Sequence, residues 1–195
     1  MKASAKERNR PKAARPVRDG VGAKLPGQAR KQRLMAGATY SEGDWFAVPL
    51  RDGGFAVGII ARAMPCKEGV LLGYFFGPRR DEVPTFEEIS DLSASDAVRI
   101  EMFGDLGIIR GEWPLLGHVN GWDRSAWPTP EFGRSEELTG RAFKVTYDDN
   151  NPNLVVREEQ VDPDELAGLP KDGLSGAGAV DRILARMLRR GLPPE

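Results

Sequence analysis

The stretch GDLGIIRGEWPLLGHVNGWDRSAWPTPEFGR, residues 104–134, is the part of the chain on which the fold prediction depends. It contains three of the four tryptophans, the only histidine and three prolines. Proline and glycine weaken both helices and strands, so the stretch cannot be one long regular element. Large apolar side chains each gain roughly 1.5–3 kcal/mol when fully buried. We therefore predict an ordered, irregular loop that lies on a sheet and leaves some aromatic faces at the surface.

The same stretch carries the candidate partner-binding residues. Ordered loops that hold Trp and Arg are frequent sites of protein recognition, where a few such side chains dominate the binding energy. A structural role stays open as the alternative, in which the tryptophans fix the loop to the body and the histidine is a hydrogen-bonded loop residue. The candidates are Trp113, His118, Trp122, Asp123, Arg124, Trp127, Phe132 and Arg134.

Three strands are predicted upstream of this stretch. Gly43–Leu50 and Phe55–Ala61 flank a turn that contains Asp-Gly, a strong hairpin signal between apolar runs. Pro49 lacks an N–H and is therefore expected at a sheet edge or a bulge. Val70–Phe76 is a continuous apolar run, which indicates burial on both faces. Strands with such short turns favour an α+β fold, with a mostly antiparallel curved sheet or a small SH3-like barrel.

A few further elements complete this prediction. A short helix is expected over Thr85–Ile89, with Glu88 at the capping-box position, and a strand over Asp96–Phe103. Gly140–Tyr147 and Leu154–Gln160 flank a polar turn and are predicted to form a second, polar hairpin.

The C-terminal part is predicted to be helical. Asp162 precedes proline and is expected to cap a short helix with Glu165. Residues 171–178 are predicted to be a flexible linker. Residues 179–190 then form an amphipathic helix, stopped by the following Gly191 and Pro193. Packing on the body is the favoured role of this helix, and binding to a partner or a membrane surface is the alternative.

Length and composition favour one compact domain with a tail. The 195 residues divide into a disordered basic tail (1–36), an α+β domain (37–170), and a linker with the C-terminal helix (171–195). The single cysteine, Cys66, cannot form an internal disulfide, which favours a cytoplasmic location. No apolar run reaches about 18 residues, so no membrane-spanning helix is expected.

The charge is distributed unevenly. Residues 1–36 contain eleven basic and two acidic residues, a net charge of +9, whereas the remainder carries −10. A basic arm of this kind favours binding to nucleic acid as an alternative function. A solvated tail, or an upstream start codon in a conceptual translation, explains the arm without any function. The oligomeric state cannot be predicted from these features.

The sequence contains no recognisable catalytic motif. One histidine and one cysteine do not suffice for a typical metal site, and no metal or cofactor is expected. No serine lies in a G-x-S-x-G elbow, and no glycine-rich stretch has the context of a phosphate loop. An enzyme that uses His118 with nearby carboxylates stays a third possibility. The residues favour a protein that acts by binding, with no catalytic residues.

Residues 40–140 also resemble a known family. The pieces GDWFAVPLRDGGFAVGIIARA (43–63), GDLGIIRGEWPLLGHV (104–119) and WDRSAWPTPEFGR (122–134) are similar to the immunity protein 26 family of bacterial polymorphic-toxin systems. The resemblance implies a small cytoplasmic protein that binds and silences a cognate toxin, and it implies no catalytic residues. An acidic body agrees with this expectation, because toxins that cut nucleic acid are often basic.

Overall fold

The computed structural model describes residues 40–64 and 69–189, and it has an α+β fold built on two open sheets. The larger sheet has six strands in the order β5-β1-β2-β3-β4-β9, and the smaller has three in the order β6-β7-β8. All pairs are antiparallel except β4 with β9. The strands are β1 Asp44–Pro49, β2 Phe55–Ala63, β3 Val70–Arg80, β4 Arg99–Gly104, β5 Leu115–His118, β6 Phe132–Ser135, β7 Ala142–Asp148, β8 Asn151–Val161 and β9 Leu174–Ser175.

Helices are few and short among the described residues. Three single 3₁₀ turns lie in the connections between strands. The α-helices are α1 Leu106–Ile109 and α2 Ala177–Met187, and the 3₁₀ turns are Ala94–Asp96, Arg124–Ala126 and Pro163–Leu166. None of the described helices is long and apolar enough to cross a membrane.

The larger sheet is buried on both faces, because its central strands carry apolar residues at successive positions. One face packs against α1, α2 and Trp113, and the other against the smaller sheet and Trp127. β3 shows the division: Leu71 and Phe75 point to the first cluster, and Leu72, Tyr74 and Phe76 point to the second. This arrangement confirms the prediction that Val70–Phe76 is buried on both faces.

A glycine makes room for the aromatic packing on the first face. Phe46 in β1 lies opposite Gly58 in β2, and a Cβ atom at Gly58 would lie 2.5 Å from the Phe46 ring. Such a distance is too short for any side chain, so the close approach of the Phe46 ring requires glycine at position 58.

The predicted fold class is confirmed, since the chain is α+β and mostly antiparallel with few helices. The SH3-like barrel is wrong, because the described strands form two open sheets. The first hairpin, β3, β4 and the second hairpin all form near their predicted positions. Pro49 lies at the end of β1, past the residues that pair with β5, where its missing N–H does no harm.

Several local predictions differ from the structure. Residues 86–91 form hydrogen-bonded turns instead of a helix, although the Thr85 amide donates to Glu88 Oε2 at 2.7 Å as a capping box would. The segment predicted as a flexible linker contains β9 and pairs with β4. The short helix after Asp162 forms as a 3₁₀ turn with the expected cap. β5, β6 and β9 were not expected.

The C-terminal helix packs on the body, as favoured from its pattern. Val180 and Leu184 of α2 are fully buried against the larger sheet. The predicted disorder of residues 1–36, the cysteine at position 66, and the predicted stop at Gly191 and Pro193 lie outside the described residues.

Candidate functional site

The connection between β5 and β6, residues 119–131, forms an ordered loop on the second face of the larger sheet, which we call the Trp–Arg loop. Trp127 anchors it. Its indole is only 7% exposed and meets the rings of Trp45, Tyr74 and Phe76 edge-on, with centroids 5.3 to 6.1 Å apart. The Tyr74 hydroxyl donates to the Pro128 carbonyl, and burial raises the pKa of Tyr74 to about 12. The loop is therefore fixed by core packing.

Trp122 extends this packing to the surface. Its half-buried indole stacks on Trp127, with centroids 5.9 Å apart and planes 19° apart. The Trp122 Nε1 donates to Glu42 Oε2 at 3.3 Å. The backbone of Gly43, at a φ of +87°, lies against the same indole. Trp122 thus joins the loop to the residues that precede β1.

Arg124 makes the strongest polar attachment of the loop. Its Nε and Nη2 donate to the two carboxylate oxygens of Glu42 at 2.7 and 2.6 Å, a bidentate geometry that is stronger than a single contact. Its Nη1 donates to the side chain of Asn150 at 2.7 Å, next to the start of β8. Burial alone would raise the pKa of Glu42, but the hydrogen bonds from Arg124 and the Ala63 amide outweigh it and lower that pKa.

A buried arginine, Arg62, stabilises the loop through an ion pair with Asp149. Arg62 in β2 is 3% exposed, and its Nε and Nη2 both lie 2.7 Å from Asp149 Oδ1. The Thr129 hydroxyl donates to the same oxygen at 2.6 Å. Burial would raise the pKa of Asp149, but the bonds from Thr129 and Arg62 lower it overall. The buried positive charge is therefore paired, as burial of an arginine requires.

Asp123 shapes the exposed tip of the loop. Its carboxylate accepts from the Ser125 amide and hydroxyl, both at 2.9 Å, and so caps the 3₁₀ turn that follows. These bonds lower the pKa of the fully exposed Asp123 carboxylate. Asp123, Ser125 and Ala126 are exposed, so the loop presents a polar tip on an aromatic base.

His118 lies at the end of β5, beside a shallow depression. Its Nδ1 lies 2.8 Å from Asp44 Oδ1, while the Ser41 amide and hydroxyl donate to Asp44 Oδ2. Leu115 and Leu116 line the rest of the depression. A hydrolytic triad needs the serine bonded to the histidine, but Ser41 is bonded to the aspartate. The pair orders the loop before β1 and gives no activated nucleophile.

Three of the predicted binding residues are buried, which is the structural role left open for the tryptophans of this stretch. Trp113 stacks on Phe46 with centroids 5.6 Å apart and is 4% exposed, and Phe132 is fully buried beneath Tyr147. Trp127 is the third. Their large apolar surfaces gain more from the core than from water. These three side chains hold the scaffold and are not accessible to a partner in this structure.

The remaining candidates reach the surface. His118, Trp122, Asp123 and Arg124 lie on or beside the Trp–Arg loop. Arg134 lies in β6, 36% exposed, where it bridges Glu158 of β8 at 2.8 Å and Asp172 at 3.3 Å. Arg134 also lies 5.2 Å above the Phe143 ring. The structure therefore brings four of the eight candidates together at the surface, with Trp127 buried beneath them, and places Arg134 on the smaller sheet.

Sequence reasoning missed Glu42, Arg62 and Asp149, which fasten the loop. Glu42 lies 82 residues from Arg124, and Arg62 lies 87 residues from Asp149, whereas Asp149 lies 20 residues from Thr129. Isolated charged residues at such separations carry no local signal. Among the described residues, no group of three or more His, Cys, Asp or Glu side chains could hold a metal ion.

Comparison with known proteins gives one match. The family model described as immunity protein 26 matches residues 41–144, slightly more than half of the chain. The matched part contains the larger sheet through β5, the Trp–Arg loop, β6 and the start of β7. No curated protein and no solved structure matches the chain significantly.

Proposed function

The chain belongs to the immunity protein 26 family, and on that basis we propose that it binds a cognate bacterial toxin and neutralises it by stoichiometric protein contact. The proposal places this action in the cytoplasm and assigns no bond-making step to the chain. Its contact surface includes the candidates that reach the surface, namely His118, Trp122, Asp123 and Arg124.

The observation that carries the proposal is the rigid attachment of the Trp–Arg loop. Trp127 fixes the loop in the core, and Glu42 holds Arg124 through two short hydrogen bonds. Loops that are ordered before binding lose less conformational entropy when a partner docks. The exposed tip around Asp123 and Ser125 is therefore a preformed surface, which suits tight binding to one partner.

Co-expression tests this proposal. The toxin encoded by the gene adjacent to that of this chain should arrest growth when expressed alone. Expression of the chain with it should restore growth, and the two proteins should co-purify in a fixed ratio. An unrelated toxin of similar activity serves as the control and should not be neutralised. Persistent growth arrest without co-purification would refute the proposal.

A second candidate function is nucleic-acid binding through residues 1–36, favoured by their net charge of +9. Binding of this kind depends strongly on salt, because it releases counterions from the phosphates. The full chain should then bind duplex DNA or RNA at low salt and lose that binding as salt is raised. Deletion of residues 1–36 should remove the binding. Binding that survives the deletion would assign it to another surface.

A further inference from the structure

The strand β8 forms an edge of the smaller sheet that no other described strand covers. It is eleven residues long, and its one neighbour in the sheet is β7. Each of its residues from 153 to 160 is exposed. An edge strand presents unpaired N–H and C=O groups to which another chain can add a strand. We call residues 153–160 the β8 edge.

The opposite edge of the same sheet is closed. The Gly133 amide in β6 donates to the Pro170 carbonyl at 2.8 Å, and the Asp172 amide donates to the Gly133 carbonyl at 2.8 Å. The edge strands of the larger sheet are also short, since β5 has four residues and β9 has two. The β8 edge is therefore the longest open edge in the described part of the chain.

The side chains of the β8 edge combine apolar and acidic character. The side chains of Leu154, Val155 and Val156 are 50, 41 and 55% exposed, respectively, although burial of each would be energetically favourable. The charged residues Arg157, Glu158 and Glu159 follow, with side chains 63, 41 and 50% exposed. Arg157 pairs with Glu159, and Arg134 pairs with Glu158. Charged residues on an edge oppose pairing with like chains and leave pairing with an oppositely charged chain possible.

The surroundings of this edge are acidic. Residues 131–172, which contain the smaller sheet and the segment that closes β6, hold eleven acidic and five basic residues. Their net charge is −6, and this total includes the internal pairs of Arg134 with Glu158, Lys144 with Glu165 and Arg157 with Glu159. A second copy of the chain would bring the same negative charge to the edge. A positively charged partner is attracted and steered toward it.

We propose that the β8 edge is the docking site for an extended segment of the toxin, which adds a strand to β8. This inference rests on the proposed function and deepens it. The segment carries apolar residues that cover Leu154, Val155 and Val156, and lysine or arginine residues that face the acidic surface. β8 lies beyond the residues 41–144 that match the family model, so family membership assigns it no role.

The position of the edge agrees with the candidate loop. Arg124 of the Trp–Arg loop contacts Asn150, the residue before β8. The start of β8 therefore lies beside the Trp–Arg loop.

Lysine substitution on the full chain tests the proposal. The double variant Leu154→Lys/Val156→Lys should weaken binding to the adjacent-gene toxin domain at least tenfold, measured by calorimetry. Leu138→Lys is the control, because Leu138 is fully exposed in the connection between β6 and β7 and each substituted lysine adds the same single charge. It should stay within about twofold of the wild type. Circular dichroism and urea unfolding establish that each variant is folded.

The outcomes separate the two proposals. If the wild-type chain binds the toxin domain and the folded double variant binds equally well, the β8 assignment fails while the proposed function stands. If the wild-type chain does not bind, both fail. If sedimentation shows a stable dimer and the double variant abolishes it, a second copy of the chain occupies the β8 edge. Slow exchange in the free monomer at the β8 amides that point away from β7, lost when residues 1–36 are deleted, would show that the chain's own basic arm occupies the edge. Either result would overturn the inference.

Discussion

The residue types of the Trp–Arg loop suggest a surface that is open to a partner, and those of the β8 edge do not. In the structure, however, the side chains of the β8 edge are the more exposed. The loop contains Trp122, Trp127 and Arg124, residue types that dominate many interfaces, yet its indoles pack on the sheet and its arginine is held by Glu42. The β8 edge contains three aliphatic residues followed by Arg157 and two glutamates, and all of them are exposed. Residue type alone therefore does not identify a docking surface. The number of packing and hydrogen-bonding partners that each side chain already has is the better guide.

Among the variants that test this comparison, Trp127→Ala should cause the largest loss of stability. The indole is buried against three aromatic rings, so its removal leaves a cavity and should cost about 3–5 kcal/mol of unfolding free energy. Urea denaturation measures the loss. A folded variant of unchanged stability that no longer binds the toxin would instead restore Trp127 as a contact residue.

A smaller loss is expected from Glu42→Gln, which removes the carboxylate that holds Arg124. The change should cost about 1–3 kcal/mol at neutral pH, because hydrogen bonds to charged groups are stronger than neutral ones. Arg124→Lys is the matched control and keeps the charge while losing the bidentate geometry.

The contribution of Glu42 to stability should depend on pH. The pKa of Glu42 is lower in the folded chain than its ordinary value of 4.5. Its stabilising contribution is therefore complete above pH 4.5 and is lost as the pH falls through the folded pKa. The stability difference between the wild type and Glu42→Gln should shrink below pH 4.5. A difference that stays constant down to acid pH would show that Glu42 does not act through its charge.

The smallest effect on stability is expected from Val156→Lys. The side chain is 55% exposed and belongs to neither buried cluster, so the change should shift the unfolding free energy by no more than about 0.5 kcal/mol. Val145→Lys is the contrasting variant, because Val145 in the neighbouring strand is fully buried and should be strongly destabilised. Equal losses for the two variants would mean that β8 is packed in solution.

Much of the fold could be predicted because its signals are local. The Asp-Gly turn between two apolar runs defines the first hairpin, and the apolar run of β3 indicates burial on both faces. β5 and β6 escaped prediction because they are four-residue strands inside a stretch rich in glycine and proline. They form only because β1 and β7 already provide an edge with which to pair.

The candidate site could be predicted only in part. The sequence identified the right loop, and it left open whether its tryptophans bind a partner or fix the loop. The answer depends on Glu42 and Arg62, which contact the loop from distant parts of the chain, and on Asp149, which binds Thr129 from 20 residues away. The β8 edge is likewise exposed because β8 has a single neighbouring strand. The order of strands in the sheet determines this, and the sequence of β8 does not show it.

Amide hydrogen exchange, measured for the free chain and for its complex with the adjacent-gene toxin domain, tests the contrast between the two regions most directly. The account predicts slow exchange at Trp127 in both states. Within residues 153–160, it predicts fast exchange at the amides that point away from β7, and these become slow in the complex. Fast exchange at Trp127 in the free chain, with residues 153–160 unchanged by the toxin, would contradict it.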